Sequence, residues 1–468
     1  MKFLHRPRVE VDMIQGSILK NLLRFSIPLM LTSILQLLYN AADLIMVSRF
    51  DRPESMASVG ATSALINLII NIFMGLSIGT SVVVSQYYGA GRHKDIRESV
   101  HTSIALSVIM GVVVGVFGVF MSKSLLEAMS IQEKNVLDGA ALYMRIYFLG
   151  MPGNMVYNFG AAILRAVGDT KRPLYYLTTA GIINIILNYV FVALFGLGVA
   201  GVAIATIVSQ YISAVLVLLS LLRSHSSIRL FPREIRVYRD KLFAIAKIGL
   251  PAGLQGAIFS ASNVLIQSSV NSFGSLAMAG NAAASNIENF VYTSMNSVYQ
   301  GALAFTGQNV GAQRYSRINR ILLTSVLLVL GFGVTLGGLA TLCSRPLLSI
   351  YIDEANSANS FEAMIAFGQL RMRIICTTYF LCGLMEVMVG MLRGMGYSLT
   401  PMIVATIGVC LVRVVWIYTI FAAHHTLETL YISYPISWLA TTMVHFGCFL
   451  FVRRKLPKAD VALADVSA

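Results

Sequence analysis

The sequence predicts an all-α integral membrane protein whose twelve transmembrane helices form two six-helix bundles related by a pseudo-twofold axis along the membrane normal. Three observations carry this expectation. Of the 468 residues, 56% are hydrophobic and only 12% charged, with a mean hydropathy of +0.74, too little charge for a water-soluble surface on a chain of this length. Apolar runs of 20 or more residues recur from residue 25 to residue 452, and about 20 residues is what a helix needs to cross a hydrocarbon core of roughly 30 Å. Short motifs return 222 to 228 positions apart, as in a chain built twice on one plan.

The opening stretch, MKFLHRPRVEVDMIQGSILKNLLR, is basic and mixed. It lacks the short apolar core and small-residue cleavage site of a leader, so residues 1–22 read as a cytoplasmic tail. Apolar windows then place helices at 23–49, 58–87, 99–121, 138–162, 173–195 and 198–222, an N-terminal bundle over 23–222. The segment RSHSSIRLFPREIRVYRDK, residues 223–241, is a basic cytoplasmic linker. Windows at 242–272, 279–309, 318–342, 363–391, 399–421 and 428–452 make a C-terminal bundle over 242–452, and 453–468 is a second cytoplasmic tail.

Charge gives a check independent of hydropathy. The net charge is +14, and the basic residues gather in the even-numbered loops: Arg92, Lys94 and Arg97, then Arg165, Lys171 and Arg172, then the linker, then Arg314, Arg317 and Arg320, then Arg393. The odd loops, SIQEKNVLDG and IDEANSANSFE among them, are neutral or acidic. Cytoplasmic loops collect Lys and Arg, so both termini are expected in the cytoplasm and the chain in the cell membrane. Topology accounts for the basic residues without nucleic acid. The five cysteines (Cys343, Cys376, Cys382, Cys410, Cys448) show no metal-ligand spacing and read as reduced packing residues. The seven histidines fall mostly in loops or tails, so neither a metal site nor an enzyme is expected.

The repeat shows in QYYGAGR at 86–92 against QNVGAQR at 308–314, and in LRAVGDTKRP at 164–173 against LRGMGYSLTP at 392–401. FSIP ending at Pro28 answers IGLP ending at Pro251, and Gly111 and Gly115 are echoed by Gly333 and Gly337, where close helix contacts within each bundle are expected. Six spans per half carry both halves into the membrane in the same direction, and two such bundles can rock about a shared cleft. A fixed pore fits this plan less well. The motifs, together with YNAAD in the first span, resemble the multidrug and toxic compound extrusion (MATE) family over residues 15–452, in its prokaryotic branch with an Asp in the first transmembrane helix. The resemblance implies a proton- or sodium-coupled antiporter that exports amphipathic, often cationic compounds.

A carboxylate at bilayer depth costs about 2.5–3.5 kcal/mol, so it faces a cavity, finds a partner or binds something. Asp43 is such a group. Gln36, Asn40 and Asp43 are spaced by four and three residues and share a helical face, with Tyr39 adjacent. The resemblance pairs this acid with Asn184 and Asn188 of the fifth span and Thr206 of the sixth as a cation site, Asn188 standing where relatives often have Asp. An amide can offer oxygen to sodium but cannot take up a proton. In the eighth span Glu288, Tyr292, Met295 and Tyr299 share a face, beside Asn289, Asn296 and Gln300, and suit a flat cation through charge, ring and thioether contacts. Glu386 and Arg413, in the tenth and eleventh spans, are expected to form a structural ion pair, while Arg145 and Arg373 anchor helices at the outer interface.

The functional expectation is therefore a monomeric antiporter that needs no cofactor, takes H+ or Na+ as coupling ion, and moves small amphipathic molecules through the lipid bilayer by alternating access. The alternative is a flippase of lipid-linked oligosaccharides or cell-wall precursors, which calls for several buried basic residues facing a pyrophosphate. Only Arg413 is placed well inside a span by the sequence, which favours cationic cargo.

Overall fold

The computed structural model describes residues 10–50, 53–128, 134–352, 360–457 and 460, and among these the regular structure is helical throughout. The first half contains α1 (Ile18–Phe50), α2 (Pro53–Gly89), α3 (His93–Ala128), α4 (Lys134–Leu149), α5 (Met151–Ala166), α6 (Lys171–Asn188) and α7 (Gly198–Leu222). The second contains α8 (Arg239–Asn271), α9 (Ser275–Gly311), α10 (Ser316–Leu342), the short α11 (Ser344–Leu348), α12 (Phe361–Gly394), α13 (Leu399–Ala405), α14 (Val412–Trp416) and α15 (Leu427–Lys455).

Ten helices among the described residues are long and apolar enough to cross a membrane. Two of the twelve expected spans stand apart. The fourth is broken at Gly150 into α4 and α5, each 16 residues long, with Pro152 near the start of α5 lacking a backbone donor. The eighth, α9, has 37 residues but carries Asn281, Glu288, Gln308 and Asn309 in its buried face, which lowers its hydropathy.

The duplicated motifs are helix stops. LRAVGD and LRGMGY end α5 and α12 with Gly168 at φ 93° and Gly396 at φ 92°, and the following amides reach back, Asp169 N–H to the Leu164 carbonyl at 2.9 Å and Tyr397 N–H to that of Leu392 at 2.9 Å. Only glycine takes this left-handed turn without steric cost. QYYGAGR and QNVGAQR end α2 and α9 in the same way, at Gly91 and at Gln313 (φ 54°). A π-helical turn follows α6 at Tyr189–Leu194, and another sits 228 positions on at Ile417–Phe421, with an additional one at Thr406–Leu411.

Two compact units emerge, and they exchange half-helices. The first comprises the described residues up to Asp12 and Ile27–Gly253; the second comprises Met13–Ser26 and the described residues from Leu254 onward. The sequence boundaries at 23, 222 and 242 thus differ from the packed ones: the first turns of α1 belong to the second unit, and the first turns of α8 to the first.

In the first unit, Gly75 and Gly79 of α2 lie directly against Gly249 and Gly253 of α8; a Cβ on Gly75 would stand 2.1 Å from the Gly253 nitrogen. The four-residue spacing on both helices lets their backbones touch. In the second unit, the matching contact sets Leu22 and Ser26 of α1 on Gly301 of α9, and Ser26 Oγ donates to the Ser297 carbonyl at 3.3 Å. Pro28 and Pro251 each lie two residues from the point where the helix changes unit. Gly111 and Gly115 pack α3 on Pro152 and Phe148, and Gly333 and Gly337 pack α10 on Phe380 and Cys376, within their own units.

The basic linker is folded onto the first unit. Phe231 N–H donates to His101 Nε2 at 3.0 Å, Tyr238 N–H donates to Thr102 Oγ1 at 3.1 Å, and ion pairs join Arg97 to Glu234 and Lys241 to Asp95.

Candidate functional site

In the first unit three helices converge on Asp43, which is 7% exposed. Asn188 Nδ2 donates to Asp43 Oδ1 at 2.5 Å and to Asn184 Oδ1 at 3.2 Å, while Thr206 Oγ1 lies 3.3 Å from Asp43 Oδ2 and 2.9 Å from its own helix's Val202 carbonyl. One hydroxyl proton cannot serve both acceptors, so Thr206 is shared between them. Among the described residues Asp43 has no Lys, Arg or His within 4.0 Å. Asn188 Oδ1 is buried without a donor among the described residues. Two carboxylate oxygens, two amide oxygens and a hydroxyl therefore meet at one place, a donor set that suits a hard cation.

The face around Asp43 differs from the expected stripe. Asp43 is buried and Tyr39 turns inward, its ring covering Gly181 of α6 so closely that a Cβ there would lie 1.8 Å from the ring carbon bearing the hydroxyl. Gln36 and Asn40 are exposed. The four-residue step from Tyr39 to Asp43 keeps those two on the α6 side, while Gln36 and Asn40 fall on the open side of α1.

The second unit overturns two expectations. Arg413 and Glu386 do not pair: Arg413 Nε donates to Ser437 Oγ at 3.1 Å, its guanidinium lies 4.0 Å from the Tyr434 ring centre and 5.6 Å from that of Trp438, and Nη2 is buried without a partner among the described residues. The ion pair that forms instead joins Arg371 to Glu288, with Nε to Oε1 at 2.8 Å and Nη2 to Oε2 at 2.7 Å. Arg371 Nη1 donates to Asn281 Oδ1 at 2.7 Å, and the Tyr431 hydroxyl donates to the same oxygen at 3.0 Å. Glu288 is thus occupied and buried, a structural anchor rather than a free acid for cargo. Met295 is also a packing residue, wedged against Gly333 and Gly383.

Tyr299 is buried and accepts from Arg393 Nη1 at 2.8 Å, while Arg393 Nη2 donates to Gln255 at 2.9 Å. Arg393, expected in a loop, closes the last turn of α12 and is 4% exposed. The half-open side of α9 is instead a polar ladder: Gln300 Nε2 donates to Asn296 Oδ1 at 3.1 Å, and Asn296 Nδ2 donates to the Tyr292 hydroxyl at 3.3 Å. Glu386 is partly open, makes no ion pair among the described residues, and lies within electrostatic reach of Tyr292, Tyr299 and Arg393. Arg371 and Asn281 escaped the sequence reading, although Arg371 sits inside the tenth apolar window and could have been placed as Glu288's partner.

Known proteins resemble this one along nearly its whole length. The family model MatE matches twice, at residues 28–190 and 251–419, once in each repeat. The probable multidrug resistance protein YoeA of Bacillus subtilis is 27% identical over 466 residues, 97% of this chain and 98% of that one. YpnP of the same organism, also a probable multidrug resistance protein, is 25% identical over 86% of this chain and 88% of its own. Among solved structures, a MOP superfamily transporter from Pyrococcus furiosus shares the fold with a TM-score of 0.88 at 24% identity, covering 96% of this chain and 98% of that one. With both repeats matched and the helical architecture shared, the chain belongs to the MatE family, and it is a multi-pass membrane transporter rather than an enzyme.

Proposed function

We propose that this transporter exports amphipathic, cationic small molecules across the cytoplasmic membrane in exchange for H+ or Na+, by alternating access, with both termini in the cytoplasm. The observation that carries the reading is the Asp43 cluster: one buried carboxylate, ringed by amide and hydroxyl oxygens, with no basic partner among the described residues. Such an acid holds a proton, a sodium ion or a cationic guest, one at a time, and mutual exclusion is sufficient for exchange. Each charge moved inward down a membrane potential of 100 mV releases about 2.3 kcal/mol. The ion must bind the two orientations with different affinity for this to do work. The proposed substrate contacts are, in the first unit, Gln36 and Asn40 on the open side of α1 with Tyr39 next to Asp43 and, separately in the second unit, the Tyr292 ladder with Glu386. The names of the Bacillus relatives agree with drug export.

The second reading, a flippase for an anionic lipid-linked precursor, is favoured by the three buried arginines of the second unit, above all by Arg413 with its unpartnered Nη2. Proteoliposomes loaded with a fluorescent cation, under a pH or a sodium gradient imposed separately, distinguish the two. Gradient-driven movement that Asp43→Asn abolishes supports the antiporter; no movement under either gradient removes it.

A further inference from the structure

Three arginines of the second unit are buried, and their charges are met differently. Arg371 is matched by the Glu288 carboxylate through two hydrogen bonds. Arg393 donates to Tyr299 and Gln255 and lies within electrostatic reach of Glu386. Arg413 has no such counterpart. Among the described residues no Asp or Glu lies within 4.0 Å of it, Nε is spent on Ser437, and Nη2 is buried with no partner. The Tyr434 and Trp438 rings offset part of its charge, but a guanidinium does not shed its proton. A buried charge of this kind calls for a counterion.

Ser262 on α8 supplies a second unspent donor. Its Oγ is buried without a partner among the described residues and lies beside Cys410, in the π-helical turn that precedes α14. Cys410 is in turn within electrostatic reach of Arg413. A guanidinium N–H and a hydroxyl therefore neighbour the same thiol, both lacking an acceptor among the described residues.

The repeat sets this cluster against the one around Asp43. The offset of 228 that relates the π-helical turns after α6 and α14 matches Val412 to Asn184, Trp416 to Asn188 and Tyr434 to Thr206. Where the first unit presents amide and hydroxyl oxygens to a cation, the second presents rings and, one residue after Val412, a fixed guanidinium. The polarity is inverted.

From this geometry we infer that the second unit binds a small monovalent anion of the halide class, held by Arg413 Nη2 and Ser262 Oγ. One negative charge neutralises the surplus guanidinium, whereas a dianion would leave a buried net negative charge and costs more to dehydrate. The site goes beyond the exchange reading and does not depend on it. It gives Arg413 a resident counterion in place of a pyrophosphate cargo.

The test uses the full-length chain in detergent, exchanged into gluconate and titrated with bromide at constant ionic strength. Trp416→Phe leaves Trp438 as the sole tryptophan, 5.6 Å from the guanidinium, where a bound heavy halide quenches its fluorescence. Quenching should saturate, chloride should compete with it, and chloride should raise the unfolding temperature above that in gluconate. In that background Ser262→Ala should raise the half-saturating concentration about tenfold, the scale of one hydrogen bond to a charged group. Arg413→Gln should abolish saturation, and Gly447→Ala, with nothing within 4 Å, should leave it unchanged. Where Arg413→Gln does not fold, Ser262→Ala still decides. Quenching that rises linearly with bromide, indifference to chloride, an unaltered titration in Ser262→Ala, or displacement by pyrophosphate at lower concentration than by chloride overturns the site. Halide binding needs no gradient, so a chain that binds bromide but transports nothing counts against the antiporter and not against this site.

Discussion

Arg371 on α12 grips Glu288 on α9 through two parallel hydrogen bonds of 2.8 and 2.7 Å, and both side chains are buried. Removing one partner of such a pair strands a charge and costs about 3–5 kcal/mol, whereas replacing both is far milder. Glu288→Gln and Arg371→Met should each lower the unfolding temperature and the yield of folded protein, and the double change should recover much of the loss. Thermal unfolding of all four combinations in one detergent gives the coupling. Additive losses would show that the pair contributes no mutual stabilisation.

The glycine seam between α2 and α8 has no room for side chains. Gly75→Ala places a methyl group 2.1 Å from the Gly253 nitrogen, and Gly249→Ala places one 2.6 Å from the Leu76 Cα. Overpacking of this kind costs about 1–3 kcal/mol. Gly447→Ala, where nothing lies within 4 Å, should be neutral or slightly stabilising, since Ala is the better helix former. Unfolding temperatures that rank Gly447→Ala below Gly75→Ala would contradict the seam.

The Asp43 cluster predicts a graded response at Asn188. Asn188→Asp adds a second carboxylate beside the first, and two acids at that distance share a proton rather than both ionising. Sodium binding should gain as pH rises and the shared proton is lost, and not at low pH where the pair keeps it, while Asn188→Leu should weaken it by tenfold or more. Sodium-dependent protection against thermal unfolding reads both. No change in either variant would place the ion elsewhere, with Glu386 the next carboxylate to examine.

Gly181 tests how the site is held. A larger side chain there must displace the Tyr39 ring, four residues before Asp43 on α1. Gly181→Val should impair gradient-driven transport, and adding Tyr39→Ala should restore part of it by emptying the contested space. A double variant no better than the single one would make Tyr39 irrelevant to the defect.

Asp460 accepts from the Ser316 N–H and from Ser316 Oγ, each at 2.9 Å, at the start of α10. The Ser316 backbone hydrogen bond, opposed by desolvation and aided by the Ser316 hydroxyl and the neighbouring arginines, holds its carboxyl below the ordinary Asp value. A lowered native pKa stabilises the contact above the unfolded value, and the gain is lost as pH falls through the native one. The Asp460–Ser316 contact should therefore hold at neutral pH and open on acidification below the usual Asp range, read as the hydrogen-exchange protection factor of the Ser316 amide, and Asp460→Ala should remove that protection at every pH. A protection factor that does not fall on acidification would count against a carboxylate contact at the Ser316 amide.

Much of this protein is legible along its chain. Hydropathy marks most of the spans, because the bilayer imposes a length and a polarity on any helix that crosses it. The repeat is legible because the duplicated glycine motifs are helix stops whose backbone demands few other residues, as Gly168 and Gly396 show. The Asp43 cluster became visible when a lone acid was joined to the family resemblance. What the sequence leaves open is which neighbour each helical face meets. Periodicity places Glu288, Glu386, Arg371 and Arg413 on faces, yet only the packing of α9, α12 and α15 selects Arg371 for Glu288 and gives Arg413 the rings of Tyr434 and Trp438. The exchange of half-helices is likewise a tertiary decision, made where glycines 75, 79, 249 and 253 allow two backbones to touch, a complementarity between segments more than 160 residues apart that no local pattern encodes.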